Sequence, residues 1–204
     1  MTIRRYADLA AHVIEAPPRL GRARYVAVDG PAGAGKTTFA GRLAVALRAA
    51  GASVEELHTD DLLDGWTDTV SFWPRLDAVL TDLRAGRTGR YQRYDWSAGR
   101  FGDTWQPVPV PDVLLVEGVS SARAATLAYL GLSVFVVADP AVRLARGLAR
   151  DGEALRGEWE RWMVAEREHF TADGTADRAD VLVDGAPTVA HDGAREYVEA
   201  PRPD

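Results

Sequence analysis

The residues with the clearest chemical pattern form a glycine-rich run that ends in a lysine and a threonine. Residues 30–37, GPAGAGKT, satisfy the spacing G-x-x-x-x-G-K-[ST] at every fixed position. Glycines let backbone N–H groups turn toward a bound phosphate, and a helix that begins here adds the positive end of its dipole. An apolar run precedes the motif and a helical pattern follows it, which is the context the motif needs. The run therefore predicts a phosphate-binding loop.

Lys36 is the only lysine in the chain, because every other member of the 24 lysine and arginine residues is an arginine. A compact ammonium on a flexible stem is not interchangeable with a planar guanidinium. Its retention here indicates that the position requires lysine. We expect Lys36 to reach the β- and γ-phosphates and the Thr37 hydroxyl to bind Mg²⁺. The loop residues expected to contact a nucleotide are Gly30, Ala32, Gly33, Ala34, Gly35, Lys36, Thr37 and Thr38.

Three acidic residues follow apolar runs that predict strands. Asp60 and Asp61 come after the run at 53–58, and Glu117 comes directly after the run at 113–116. Ligands gather at the carboxyl ends of strands in open parallel sheets. An Asp-Asp pair can also cap a helix, and a lone glutamate can be a surface residue. Beside a phosphate loop, the three together favour a metal site that includes Thr37, Asp60 and Glu117.

The elements that must position these residues alternate between short apolar runs and helical patterns. This order predicts an α/β fold with a parallel central sheet. Asp139 and Pro140 form an N-cap and first helical residue in front of one of the helices. Strands are predicted at 25–28, 53–58, 113–116, 132–138 and 179–183, and helices at 37–50, 72–85, 140–150 and 158–170.

One domain over residues 1–185 accounts for the whole pattern. Residues 1–20 predict an amphipathic helix and a linker, and residues 86–111 predict an excursion or hairpin outside the main sheet. Residues 186–204 show no convincing pattern, so we expect a disordered or loosely docked tail.

Composition excludes several classes of protein. The chain has 204 residues, no cysteine and a formal net charge of −6. It therefore has no disulfide, and its charge argues against nonspecific binding to nucleic acid or to an anionic membrane. No apolar run approaches the ~20 residues that span a bilayer, so a cytoplasmic location is the expectation. The four histidines show no ligand spacing, and a homo-oligomer is among the assembly states that the sequence allows.

Six segments in order resemble the uridine kinase branch of the P-loop kinases, which is related to phosphoribulokinase. They are GPAGAGKTT, HTDDLL, YDW, LLVEG, FVVADPAVRLARGLARD and RADVLVDG, within about residues 24–185. The resemblance implies a three-layer P-loop kinase fold with helices on both faces of the sheet. It also implies the use of ATP and Mg²⁺ and the transfer of a phosphate to a small-molecule hydroxyl.

The resemblance also implies roles for single residues on the phosphate side. The family's proton-accepting aspartate, which lies near Mg²⁺, matches Asp60, with Asp61 as the alternative. Its arginine-rich helix and lid match residues 143–157. Arginines at three- and four-residue spacing share one helix face, which can clamp a migrating phosphoryl group or be a solvated stripe. From this match we expect Arg143 to contact the nucleotide and Arg146 and Arg150 to be catalytic. We expect Arg156 to contact the acceptor.

The acceptor side matches the family less well. The family's tyrosine–aspartate pair in the nucleoside pocket matches Tyr94 and Asp95, but the histidine that follows is absent and SAGR stands at 97–100. Leu62 and Leu63 stand where an aromatic residue is expected. The expected acceptor contacts are Asp61, Asp68, Tyr94, Asp95, Trp96 and Arg156.

The acceptor therefore remains open at the level of sequence. A nucleoside competes with an antibiotic, a sugar, pantothenate or a nucleoside monophosphate, and a regulatory ATPase without an acceptor is the alternative of a different class. The absence of an N-K-x-D signature disfavours a classical GTPase. Aromatic residues crowd the stretch between the second strand and Glu117, where a flat ring could stack on them. Trp159 and Trp162 are expected to serve in packing.

Overall fold

The computed structural model describes residues 1–202, and the C-terminal two residues of the expected tail lie outside this range. The strands are β1 (Thr2–Arg5), β2 (Arg24–Asp29), β3 (Val54–His58), β4 (Gly89–Asp95), β5 (Arg100–Val108), β6 (Val113–Glu117), β7 (Leu130–Val137), β8 (Val181–Asp184) and β9 (Glu196–Glu199). The helices are α1 (Tyr6–Glu15), α2 (Lys36–Ala49), α3 (Trp73–Arg84), α4 (Pro140–Asp151), α5 (Arg156–Asp173) and α6 (Thr175–Arg178).

The central sheet has seven strands in the order β1-β9-β8-β7-β2-β6-β3. Strands β3, β6, β2, β7 and β8 are parallel to one another, as the apolar runs predict. Because β2 lies inside the sheet, between β7 and β6, its side chains are buried on both faces. Val26 and Val28 pack with α1 and α2, whereas Tyr25 and Ala27 pack with α3. The α/β fold with three layers is thus confirmed.

Helix α4 begins as its sequence predicts. The Asp139 carboxylate accepts a hydrogen bond of 2.8 Å from the backbone N–H of Ala141, and Pro140 occupies the first helical position. Its end at Asp151 is followed by Gly152 and a single 3₁₀ turn, after which α5 starts at Arg156. Helix α5 therefore begins inside the segment expected to be the lid, which leaves only a short connection between the two helices.

Residues 86–111 leave the main sheet and form an antiparallel hairpin, β4 and β5, as a separate two-stranded sheet. The hairpin packs on α3 where Gly89 approaches Val79; a Cβ on Gly89 would lie 2.9 Å from the Val79 side chain. At the other end of the hairpin, Trp96 Nε1 donates a hydrogen bond of 3.2 Å to the carbonyl oxygen of Asp60, which holds the hairpin tip beside the turn that follows β3.

The two ends of the described chain differ from the sequence-based expectation. Residues 2–5, expected to begin a helix, form β1, and residues 196–199, expected to lie in a patternless tail, form β9. These strands pair antiparallel with each other, and β9 pairs with β8. Each strand has only four residues, so long-range pairing rather than local periodicity creates them. Among the described residues, no helix is long and apolar enough to cross a membrane.

Candidate active site

A cavity of about 770 Å³ opens at the carboxyl ends of β2, β3 and β6. Adjacent parallel strands end at the same edge of the sheet, so residues that are distant in sequence converge there. The loop after β2, the turn after β3, the end of β6, helix α4 and the start of α5 all contribute to the wall. The predicted phosphate-binding loop and the three acidic residues predicted near it thus border the same cavity.

The loop between β2 and α2 needs glycine for steric reasons. Gly30 has φ of 129°, and a Cβ there would lie 2.3 Å from the Val136 carbonyl oxygen. Gly33 has φ of 76°, and a Cβ would lie 2.6 Å from the Arg143 carbonyl oxygen. Only glycine combines an unstrained positive φ with so close an approach to a neighbouring carbonyl oxygen. The tight loop then delivers the chain into α2, whose N-terminus faces the cavity.

Not all of the residues predicted to contact a nucleotide reach the cavity surface. Gly30 and Ala34 are buried behind the loop. Lys36 is 7% exposed, and its Nζ donates a hydrogen bond of 3.1 Å to the carbonyl oxygen of Pro31. The ammonium is therefore already folded back over the loop. The loop residues that border the cavity are Ala32, Gly33, Gly35, Lys36, Thr37 and Thr38.

Thr37 and Glu117 meet at the floor of the cavity. The Thr37 hydroxyl donates a hydrogen bond of 3.1 Å to one Glu117 oxygen, and His58 Nδ1 lies 2.7 Å from the other. His58 and Glu117 are paired Cα positions of β3 and β6, so sheet register creates this contact. His58 is not among the site residues predicted from the sequence, because only the strand pairing brings it to Glu117.

This pairing sets the charge state of both groups. Burial by itself would raise the pKa of Glu117, but the hydrogen bond from His58 and the charge of Lys36 outweigh it, so the pKa is lowered. The hydrogen bond to Glu117 in turn raises the pKa of His58. Glu117 is thus held ionised, as a metal ligand must be.

Asp60 and Asp61 sit on the 3₁₀ turn that follows β3, but they have different surroundings. The Asp60 side chain is open to the cavity while protein surrounds its other sides, and this burial raises its pKa even though Lys36 opposes the shift. Asp61 accepts hydrogen bonds from Arg93 Nε at 2.8 Å and the Tyr91 hydroxyl at 3.3 Å. The oxygens of Asp61 are therefore already engaged.

The four arginines of the expected clamp separate into two groups. Arg146 and Arg150 border the cavity. Arg143 does not: it is 7% exposed, and its Nη1 lies 2.6 Å from Glu166 and 3.2 Å from the Ala32 carbonyl oxygen. Arg156 is exposed, and its Nε lies 2.5 Å from Glu153 outside the cavity. The sequence spacing placed Arg143 on the face of Arg146, but a buried carboxylate on α5 draws its side chain behind the loop.

Several expected acceptor contacts also lie outside the cavity wall. Asp68 is buried and accepts hydrogen bonds from the backbone of Asp64, from the Ser71 hydroxyl and from Arg75 in the first turn of α3. Asp95 accepts from the backbone N–H groups of Ser97 and Ala98, both at 2.9 Å, and so closes the hairpin turn. Tyr94 is 8% exposed and packs in the hairpin. Only Asp61 and Trp96 of that expected set border the cavity.

Four tryptophans line one wall of the cavity: Trp66, Trp96, Trp159 and Trp162. The Trp66 ring lies at the centre, with the other three ring centroids 5.7, 6.0 and 6.1 Å away in edge-to-face contacts. The spacing of Trp159 and Trp162 predicts a shared helix face that serves in packing, but it does not indicate what that face contacts. In the structure both side chains border the cavity. Arg93 and Asp151 are further wall residues that the sequence did not indicate.

A second cavity, of about 560 Å³, lies on the other side of the phosphate loop. It shares Gly35, Thr38 and Arg146 with the first cavity and continues along Gly185 and Pro187 after β8. Arg146 donates hydrogen bonds to the carbonyl oxygens of Gly33 at 3.2 Å and Gly185 at 3.1 Å. This arginine therefore ties the loop to the segment after β8, between the two cavities.

No single cluster of acidic and histidine side chains can hold a metal by itself within residues 1–202. A magnesium ion usually keeps several waters and binds one or two carboxylates together with substrate phosphates. The Thr37 hydroxyl, the ionised Glu117 and the adjacent phosphate loop fit that donor set.

Comparisons with known proteins bear on this arrangement. A family model described as "Phosphoribulokinase / Uridine kinase family" matches residues 71–190, more than half of the chain. The match begins after the phosphate loop, so the loop and the family match are separate observations. No match was found among curated protein sequences.

Among the solved structures that match, two are similar to most of this fold. A protein described as a possible uridine kinase from Bacillus stearothermophilus is 19% identical, with a TM-score of 0.64 over 87% of this chain and 96% of that one. A candidate fructose transport system kinase from Silicibacter sp. TM1040 is 20% identical, with a TM-score of 0.63 over 85% of this chain and 95% of that one. At these identities the likeness concerns the fold alone.

Proposed function

The chain belongs to the phosphoribulokinase/uridine kinase family, and on that premise we propose that it transfers the γ-phosphate of ATP to a hydroxyl group of a small molecule. One observation carries the proposal: the Asp60 side chain borders the same cavity as the phosphate loop and Lys36. Phosphoryl transfer to an alcohol needs a cradle for the phosphates and an acceptor for the hydroxyl proton within one site.

We expect the nucleotide to lie across both cavities. Its phosphates belong in the first cavity, where the loop amides, the N-terminus of α2 and Lys36 supply positive charge. Its base belongs in the second cavity, because Gly35, Thr38 and Arg146 border both spaces. Arg146 would then lie beside the phosphate chain at the junction, where it can offset negative charge.

Thr37 and Glu117 would hold Mg²⁺, with Asp60 nearby. When bound, the ion supplies positive charge that neutralises the phosphate oxygens. The contribution of this chain is to keep Glu117 ionised through His58 and Lys36. His58 therefore acts on the site through Glu117 rather than through the acceptor.

In the proposed step the acceptor oxygen forms a bond to the γ-phosphorus. The bond from that phosphorus to the β–γ bridging oxygen breaks, and ADP leaves with the electron pair. Asp60 takes the proton of the attacking hydroxyl, and its raised pKa makes it a better proton acceptor than an ordinary aspartate. Asp61 is less suited, because Arg93 and Tyr91 occupy its oxygens.

A screen of nucleosides, sugars and aminoglycosides for ADP formation tests the proposal. A kinase releases ADP faster when its acceptor is present, whereas a regulatory ATPase hydrolyses ATP at the same rate with every compound. Acceptor-dependent ADP formation together with a phosphorylated product, identified by mass spectrometry, supports the kinase. A rate that no compound in a broad panel changes contradicts it.

Asp60→Asn tests the role of the proposed base once an acceptor is known. We expect kcat to fall by about 10²- to 10⁴-fold, the usual contribution of a positioned proton acceptor. The dissociation constant for ATP should change little, because asparagine keeps the shape of the side chain. Asp61→Asn is the matched control, and its effect on kcat should be much smaller. Equal losses in the two variants would contradict the assignment of Asp60.

A further inference from the structure

The acceptor half of the first cavity has a wall of indole rings. Trp96 at the tip of β4 is 42% exposed, and Trp66 is half-buried beside it. Trp159 and Trp162 are almost fully buried and back the ring of Trp66. An exposed tryptophan inside a cavity leaves apolar area in water, which folding alone does not require. The open ring area is therefore available to a ligand.

The indole N–H groups of this wall are largely used by the protein itself. Trp96 Nε1 donates to the Asp60 carbonyl oxygen at 3.2 Å, Trp159 Nε1 to Asp151 at 3.0 Å, and Trp162 Nε1 to Glu166 at 3.1 Å. What these rings offer a ligand is apolar surface and π faces rather than hydrogen bonds.

The charged side chains of the same half are also paired. Asp61 is bound by Arg93, and Asp151 accepts from Arg150 at 2.7 and 2.9 Å. Among the described residues, the Asp60 carboxylate has no hydrogen-bond partner, so it is available to an attacking hydroxyl. The cavity lining carries as many carboxylates as lysine and arginine side chains, so it has no excess charge that would select a strongly ionic acceptor.

The open indole faces of Trp66 and Trp96 offer no hydrogen-bond partners to the several hydroxyls of a ribose or sugar ring. Its hydroxyls would be buried against indole faces, and each unpaired buried hydroxyl costs binding free energy. Asp68 and Asp95, which the resemblance places among the acceptor contacts, lie outside the cavity wall: Asp68 is bound by Arg75, and Asp95 closes the hairpin turn. The acceptor pocket therefore favours a ligand with one reacting hydroxyl and a flat apolar body.

We propose that the acceptor is an aryl alcohol, a compound whose reacting hydroxyl is carried on a short chain or ring next to an aromatic body that lies on Trp66 and Trp96. The proposal rests on the proposed function, since it names the acceptor of the same reaction. The hydroxyl points to Asp60 and the phosphate loop, and the aromatic body lies toward the β4–β5 hairpin. Trp96 is thus a specificity-determining residue, because it is the most exposed ring of the wall.

Binding and turnover of defined probes test this. The probes are 2-phenylethanol and tryptophol against uridine and fructose, with binding measured by isothermal titration calorimetry in the presence of a non-hydrolysable ATP analogue and Mg²⁺. We expect the aryl alcohols to bind more tightly than uridine and fructose. Trp96→Ala should weaken their binding ~10-fold, the usual loss for one stacked aromatic ring.

Trp105→Ala is the matched control. Trp105 is 50% exposed on β5 of the same hairpin, packs against Arg90 and does not border the cavity. Its replacement should leave aryl alcohol binding unchanged. Tighter binding of uridine or fructose, no detectable binding of either aryl alcohol, or equal effects of the two tryptophan variants would overturn the proposal.

Calorimetry, combined with the assay for ADP and phosphorylated product, separates the proposed acceptor pocket from the proposed kinase function. Aryl alcohols that bind at a Trp96-dependent site, in a protein that forms ADP and a phosphorylated product with no compound of the panel, would support the pocket and contradict the kinase. Uridine or fructose that is phosphorylated through Asp60, with no dependence on Trp96, would support the kinase and contradict the pocket.

Discussion

At the scale of single residues, identical side chains take different tasks because their neighbours differ. Asp60 and Asp61 are adjacent in sequence, yet only Asp61 is held by an arginine and a tyrosine. A third aspartate, Asp29 at the end of β2, is fully buried and accepts backbone hydrogen bonds from Gly30, Ser120 and Ala122. Asp29 thereby fastens the start of the phosphate loop to the segment after β6.

The buried Asp29 predicts a pH-dependent stability. Burial raises its pKa from 3.8 to about 6, despite the opposing hydrogen bonds and the charge of Lys36. The folded state therefore holds the Asp29 proton more tightly than the unfolded state does. The contribution of this protonation to the free energy of unfolding is lost as pH rises through the folded pKa. Relative to Asp29→Asn, the wild-type free energy of unfolding should fall by about 1 kcal/mol between about pH 5 and about pH 7.

Urea unfolding of both proteins at the two pH values measures this difference. The asparagine side chain of the variant cannot ionise, and titration of all other groups cancels in the comparison. A difference that does not change with pH, or one that changes in the opposite direction, would contradict the raised pKa.

At the scale of elements, α5 holds the phosphate loop through one buried carboxylate. Glu166 is 1% exposed and binds the Ala32 N–H at 2.8 Å, Arg143 of α4 at 2.6 Å and Trp162 of its own helix at 3.1 Å. The loop, the arginine helix and the tryptophan wall thus meet at one side chain. This contact explains why Arg143 does not reach the cavity.

Glu166→Ala should therefore destabilise the fold strongly. Removing one partner of a buried ion pair leaves the other charge uncompensated, which costs about 3–5 kcal/mol. Thermal or urea unfolding measures the loss. Glu168→Ala is the control on the same helix, because Glu168 is exposed, and it should change stability by less than about 0.5 kcal/mol. Comparable effects of the two variants would refute the bridging role of Glu166.

At the scale of the whole molecule, the parallel sheet is what assembles the site. Pairing of β6 with both β2 and β3 places Glu117 beside the phosphate loop on one side and His58 on the other. The hairpin and α5 then close the acceptor half from outside the sheet. A ligand that contacts the sheet, the hairpin and α5 together therefore stabilises the whole folded state.

Mg-ATP should accordingly raise the stability of the whole fold. At a concentration 100-fold above its dissociation constant, a ligand specific for the folded state adds about 2.7 kcal/mol to the free energy of unfolding. Differential scanning fluorimetry with and without Mg-ATP measures the effect, and chelation of Mg²⁺ with EDTA should reduce it. Lys36→Ala should remove most of the stabilisation.

Arg87→Ala is the control for that substitution, because Arg87 lies outside the cavity and pairs with Asp82 on the surface. It should respond to Mg-ATP as the wild type does. If Lys36→Ala retained the full response, the phosphate-site assignment would be wrong.

Much of this architecture follows from local patterns. The strand–loop–helix at residues 30–37, the parallel strands and the cap of α4 depend on short-range sterics and on the burial of apolar runs, which a sequence displays directly. The short edge strands β1 and β9 do not, because each exists only through pairing with a distant partner.

What the sequence alone determined is the phosphate loop, its lone lysine, the carboxylates at the ends of β3 and β6, and the α/β fold that joins them. Only the tertiary structure decided which side chains face the cavity. In the structure Arg143 pairs with Glu166, and Asp68 and Asp95 form hydrogen bonds outside the cavity. Trp159 and Trp162 border the cavity. The physical reason is that direction and partner depend on contacts between residues far apart in the chain, which spacing along one helix or strand does not encode.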